Sequence, residues 1–147
     1  LARRLGAAVY AAWTAPTHDG EDLLEALGTH LLLELEGCDP ELLDDLDHIR
    51  DSMVSAATET GATIVGQTFH KFSPTGVTGV VAIAESHLCI HTWPDRQYAA
   101  ADIFTCGEDF DPNAAADLII EKLRCQRPTI REMSRGPIAA PTAPTLA

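Results

Sequence analysis

The stretch GVTGVVAIAESHLCIHTWPD at 76–95, continued by YAAADIFTCGED at 98–109, decides the fold. Val77 to Ile83 is an apolar run of the type found in buried strands, and it leads through Ala84 directly into Glu85-Ser86-His87. Leu88 to Thr92 predicts the next strand, Pro94 a turn, and Tyr98 to Thr105 a further strand.

Upstream, His30 to Glu36 (HLLLELE) predicts a short apolar strand closed by Gly37. Asp39-Pro40 has the form of an N-cap followed by proline at the first helical position, where its missing N–H costs nothing. Leu42, Leu43, Leu46, Ile49, Met53 and Ala57 then recur at helical spacing until Gly61. Ala62 to Phe72 predicts a strand. Asp111-Pro112 repeats the cap and proline, opening a helix through Leu118, Ile119 and Leu123 to about Cys125, and Pro128 to Met133 predicts an edge strand. Helices gathered on one face of a mostly antiparallel sheet give an α+β, two-layer sandwich. Residues 1–27, with a Pro-Thr-His-Asp-Gly break at 16–20, read as a poorly ordered N-terminal appendage. Residues 28–135 read as the folded domain, and 136–147, with Pro137, Pro141 and Pro144, as a disordered tail.

Ten Lys and Arg against 22 Asp and Glu leave a net charge of −12. Such a surface repels phosphate, which argues against nucleic acid and anionic membranes and permits a cationic small molecule. No apolar run reaches the roughly 18–20 residues that span a bilayer. Arg3 and Arg4 before Gly6–Trp13 only faintly imitate a signal peptide, the run being alanine-rich. Cys38, Cys89, Cys106 and Cys125 form no CxxC pair, which fits a reduced, cytoplasmic setting.

Chemistry alone leaves several readings of this core open. Ser86 and His87 beside an acid permit a hydrolase, but the GxSxG elbow is missing. His87, Cys89 and His91 alternate onto one strand face and could gather a zinc ion with Cys106, though their spacing lacks the usual pairs. Simple core packing is the default against both.

The motifs add what the chemistry does not. ESHLCIHTWP followed by DIFTCGED, with GATIV at 61–65, Thr68-Phe69-His70 and GEDFDP at 107–112, resembles the short prokaryotic form of S-adenosylmethionine decarboxylase from about Gly28 to Met133. The resemblance implies a proenzyme that cuts itself between Glu85 and Ser86. The Ser86 hydroxyl attacks the Glu85 carbonyl to give an ester, and β-elimination releases Glu85 and leaves a dehydroalanine that hydrolyses to a pyruvoyl group at 86. It further implies that His91 and the hydroxyl of Thr78 assist processing. The pyruvoyl group takes up the substrate amine, and Cys106 returns a proton to the α-carbon after carbon dioxide departs; no metal is implied. Phe72, and less strongly Trp93, would stack on the adenine, while Asp95 would hold a polar group such as the ribose. The product would supply the aminopropyl group of spermidine. Homodimers of processed protomers, with sites drawing on both subunits, are implied as well.

Four positions depart from the family pattern. Thr78 stands where serine is usual, Asp95 where glutamate is common, Cys89 where serine or threonine is common, and Ala84 in place of a frequent serine. Those at Asp95, Thr78 and Cys89 leave open the same scaffold acting on ornithine or arginine; a binding or regulatory homologue that never cleaves is the other alternative, and the intact Glu85-Ser86, His91 and Cys106 set argues against it.

Overall fold

The computed structural model describes residues 9–12, 24–84, 86–107 and 109–139. Its strands are β1 (Val9–Ala12), β2 (Leu24–Glu36), β3 (Ile64–Lys71), β4 (Val77–Ile83), β5 (Ser86–Trp93), β6 (Tyr98–Thr105) and β7 (Arg127–Ala139). The helices are α1 (Pro40–Leu43), α2 (Leu46–Glu59) and α3 (Pro112–Lys122), with a 3-10 turn at Pro94–Arg96. The strands form one sheet in the order β1-β7-β2-β6-β5-β4-β3, antiparallel except for the β1–β7 pair. The α+β two-layer expectation is met.

Alternation divides the sheet into two faces. Val77, Val81 and Ile83 of β4, Leu88 and Ile90 of β5, Ile103 of β6 and Leu31, Leu33 and Leu35 of β2 are buried against the helices. Ile49, Met53, Ala56 and Ala57 of α2 and Ala115, Ala116 and Ile119 of α3 fill the other side of that core. Asp39 and Asp111 cap α1 and α3, accepting from the backbone N–H groups of Glu41 and Leu42 and of Asn113 and Ala114. Among the described residues the opposite sheet face carries no helix. It presents Thr78, His87, Cys89, His91, Trp93, Asp102, Phe104 and His30.

Several boundaries differ from the sequence expectation. The single helix from residue 39 to 61 is broken at Asp44-Asp45. Asp45 caps α2 by accepting from His48 N–H, and the Asp44 carboxylate turns away to Gly76 N–H at 2.9 Å and Lys71 Nζ at 3.2 Å. Aspartates compete for backbone donors in this way and so interrupt helices. Strand β2 begins at Leu24 and β1 occupies Val9–Ala12, both within the span read as an appendage; residues 1–8 and 13–23 lie outside the described residues. Strand β7 continues to Ala139, into the span read as a tail, of which 140–147 lie outside the described residues. Nor is β7 an edge, because β1 covers Thr129–Glu132. Pro128 and Pro137 lie beyond that covered stretch, where a missing N–H leaves no β1 partner unpaired.

Candidate active site

Ser86 opens β5, half-buried, in register with Thr105 of β6 and Ile83 of β4. Glu85, the residue before it, lies outside the described residues. Cys106 follows Thr105 directly and is exposed, so the hydroxyl and the thiol sit at the same end of neighbouring strands. Gly28 of β2 makes room for that thiol. A Cβ there would lie 2.9 Å from Cys106 Sγ and 2.7 Å from the Thr105 carbonyl oxygen. The Thr105 hydroxyl accepts from Gly107 N–H at 3.2 Å and turns the chain out of the sheet after the thiol. Beside this end opens a cleft of about 210 Å³, lined by Thr63, Ala84, Thr105, Gly107 and Phe110 among others.

The open face carries a second group. Thr78 of β4 and His91 of β5 are register partners, and Thr78 Oγ1 lies 2.9 Å from His91 Nδ1. Cys89 Sγ lies 3.5 Å from the other ring nitrogen of His91. Burial first, and then the charge of Asp102, push the Cys89 thiol pKa up, so it stays protonated and can donate to His91. Trp93 continues this row toward Tyr98, ring centroids 5.5 Å apart. Trp93 and Asp95 line an open cleft of about 540 Å³ with Glu36, Tyr98 and Arg127. Phe72 is exposed after β3, its ring 4.8 Å from that of His70.

These two groups do not meet within one chain. His91 stands five positions along β5 from Ser86, about 17 Å at the rise of an antiparallel strand. Alternation also gives Ser86 the parity of buried Leu88 and Ile90, and His91 that of the open face. Trp93 and Asp95 lie farther still along the same direction. Ser86 and Cys106 therefore share one strand end, while Thr78 and His91 face each other farther along the sheet, and the four do not meet at once.

The zinc set weighed from sequence is divided as well, with Cys106 past the end of β6 and His87 turned to other partners. His87 Nε2 donates to Asp102 Oδ2 at 2.9 Å, and His30 Nε2 donates to the same oxygen at 3.1 Å. These three side chains offer ligand atoms within 4.8 Å of one another. Arg135 Nη1, however, lies 2.8 Å from His30 Nδ1. A guanidinium can only donate, so His30 Nδ1 accepts and Nε2 keeps its proton, which is the wrong tautomer for a ligand. Sequence inspection passes over His30, Asp102, Arg135 and Gly28. The alternation of HLLLELE does assign His30 to a polar face, but only the register shows that Asp102 and His87 lie beside it.

A family model described as S-adenosylmethionine decarboxylase matches residues 29–136. A protein of Thermodesulfovibrio yellowstonii named S-adenosylmethionine decarboxylase proenzyme is 54% identical over 114 residues, covering 78% of this chain and 84% of that protein. One of the same name from Thermosipho africanus is 51% identical over 113 residues, covering 77% and 87%. Among solved structures, the adenosylmethionine decarboxylase of Aquifex aeolicus aligns with a TM-score of 0.73 at 35% identity, covering 81% of this chain and 98% of that one.

Proposed function

Since the chain belongs to the S-adenosylmethionine decarboxylase family, we propose that it cuts itself between Glu85 and Ser86 and decarboxylates S-adenosylmethionine with a pyruvoyl group left at position 86. Such a group is what remains of a serine, so it needs a serine at a strand end and a proton donor beside it. Ser86 begins β5, and Cys106 follows its register partner Thr105, so the residues present fit. Once formed, the group supplies a carbonyl that takes up the substrate's α-amine and the electron pair left as carbon dioxide departs.

The chain's own residues do the rest. In the processing step the Ser86 hydroxyl attacks the Glu85 carbonyl, the Ser86 nitrogen becomes an amine, and an ester replaces the amide. Elimination then removes the α-hydrogen of residue 86, breaks the Cβ–O bond and releases the carboxylate of Glu85; water hydrolyses the dehydroalanine that remains, and the former Ser86 nitrogen leaves as ammonia. Thr78 and His91 form a hydroxyl–imidazole pair able to pass a proton during these steps. Their distance from Ser86 along β5 is the observation that carries the proposal, because it supports a site in which Thr78 and His91 come from a second copy. Phe72, Trp93 and Asp95 sit on the same side as the Thr78–His91 pair and would bring the adenosyl-binding surface with them. Cys106 Sγ holds the proton for the substrate's α-carbon.

The unit is accordingly a homodimer, its product an aminopropyl donor for spermidine. No helix among the described residues is long and apolar enough to cross a membrane. Cys38, Cys89, Cys106 and Cys125 are free thiols, which supports a reducing, cytoplasmic setting.

Complementation tests the composite site. Ser86→Ala and His91→Ala chains, each unable to cleave alone, should on co-expression cleave the His91→Ala chain, whose Ser86 meets the partner's His91. Absence of cleavage in a mixed dimer shown to form would assign His91 to its own chain or to no processing role.

A further inference from the structure

Four side chains from four neighbouring strands form one polar chain across the open face, and it ends beside the cleavage point. Arg135 of β7 donates to His30 of β2 at 2.8 Å, and His30 donates to Asp102 of β6 at 3.1 Å. From the other side His87 of β5 donates to the same Asp102 oxygen at 2.9 Å. The order of donors is fixed: the guanidinium can only give, which sets the His30 tautomer, and both imidazoles then give to the carboxylate. Phe104 lies under this chain, 5.4 Å from the His30 ring and 5.6 Å from the Arg135 guanidinium carbon. None of the four is needed for the cleavage or proton-transfer steps above.

Position matters more than chemistry here. Before cleavage, β4 and β5 are covalently joined through Ala84 and Glu85, and Ser86 is paired to Ile83. Cleavage turns position 86 into a chain end, and free strand ends fray. Backbone pairing of position 86 to Thr105 and Ile83 must then persist without the covalent link. His87 is the first intact residue after the cut, and its ring is tied through Asp102 and His30 to the body of the sheet.

We infer that Arg135, His30, Asp102 and His87 form a clamp that keeps the severed end of β5 in register after self-cleavage, so that position 86 stays beside Cys106. The inference rests on cleavage between Glu85 and Ser86. The four are positioning residues, and their effect belongs to the cut chain, since the uncut one has its turn to hold the strand.

Amide hydrogen exchange read by mass spectrometry separates the two states. Wild-type protein supplies the cut form and Ser86→Ala the uncut form, and Asp102→Asn is placed in each. The amide that replaces the carboxylate keeps the shape but cannot accept from both imidazoles through charged oxygens. In the uncut background, exchange over residues 87–91 should change by less than about twofold on Asp102→Asn. In the cut protein the same substitution should speed it at least about tenfold, with Arg135→Ala giving a smaller effect of the same kind. Equal exchange of cut wild type and cut Asp102→Asn would overturn the clamp, as would equal acceleration in both backgrounds, which would mark ordinary structural support. Should Asp102→Asn not fold, Arg135→Ala, exposed and at the far end of the chain, carries the same comparison. A wild-type chain that never cleaves removes the clamp together with the activity on which it rests, and intact mass distinguishes that outcome.

Discussion

Thr78 Oγ1 and His91 Nδ1 face each other at 2.9 Å across the β4–β5 pair. One partner is a hydroxyl on a β-branched residue whose χ1 is stiff, so its direction toward the imidazole is held by the backbone. Thr78→Val keeps the shape and removes the hydroxyl. Processing should slow by about 10²-fold or more, within the range for a lost acid–base group, while Thr78→Ser should process at least as fast as wild type. Time courses of the two fragments on denaturing gels read both, and a Thr78→Val protein that cleaves at the wild-type rate would remove the hydroxyl from the processing chemistry.

Asp44 ties down Gly76, two residues before Thr78. Its carboxylate accepts from Gly76 N–H, and that bond first, then Lys71, lowers its pKa below the usual carboxylate range. A depressed folded pKa contributes stability that is present above the unfolded pKa and lost as pH falls through the folded one. The melting-temperature difference between wild type and Asp44→Asn should therefore be full above about pH 5 and shrink as the solution is acidified below about pH 4. A difference that instead grows on acidification would contradict the assignment.

Much of this architecture was legible in the residues. Strands β4 and β6 match their expected bounds because each alternates buried and half-buried positions between clear turn signals, and the Asp-Pro pairs place the starts of α1 and α3. The break at Asp44-Asp45 was not legible, because helical spacing of the leucines continues through it and the competing donors, Gly76 and Lys71, are about thirty residues away in sequence. The separation of Ser86 from His91 could be read from their spacing on one strand. That His87 shares Asp102 with His30 could not, since it depends on the register of three strands.

Cys106 is expected to act after cleavage, so Cys106→Ala should still yield both fragments and lose turnover by about 10²–10⁴-fold. Gly28 gives a finer test of the same thiol. Gly28→Ala puts a methyl 2.9 Å from Cys106 Sγ, 2.8 Å from the Phe104 ring and 2.7 Å from the Thr105 carbonyl oxygen, so the strand end that carries the thiol must shift. Turnover should fall while cleavage persists, as judged by carbon dioxide release and intact mass on the same sample. Lasting, near-normal turnover in Cys106→Ala would pass the proton-donor role to another residue.

Phe72 is proposed to carry the choice of substrate. The residue is 49% exposed, with the His70 ring edge-on to its own at 4.8 Å, and could take a flat partner, which S-adenosylmethionine offers and ornithine and arginine lack. Phe72→Ala should weaken binding of S-adenosylmethionine by about 1–3 kcal/mol, the range for base–aromatic stacking. Carbon dioxide release by wild type should be far faster from S-adenosylmethionine than from ornithine, arginine or lysine at equal concentration. Preference for ornithine or arginine with normal processing would keep the scaffold and change the substrate.

Denaturing mass spectrometry of freshly purified wild-type and Ser86→Ala protein tests self-cleavage most directly. The wild type should separate into residues 1–85 and 86–147, the second fragment beginning with a blocked, borohydride-reducible ketone, while Ser86→Ala remains one chain of 15.8 kDa. A wild-type protein that stays at full length after prolonged incubation, with no reducible ketone, would contradict the account.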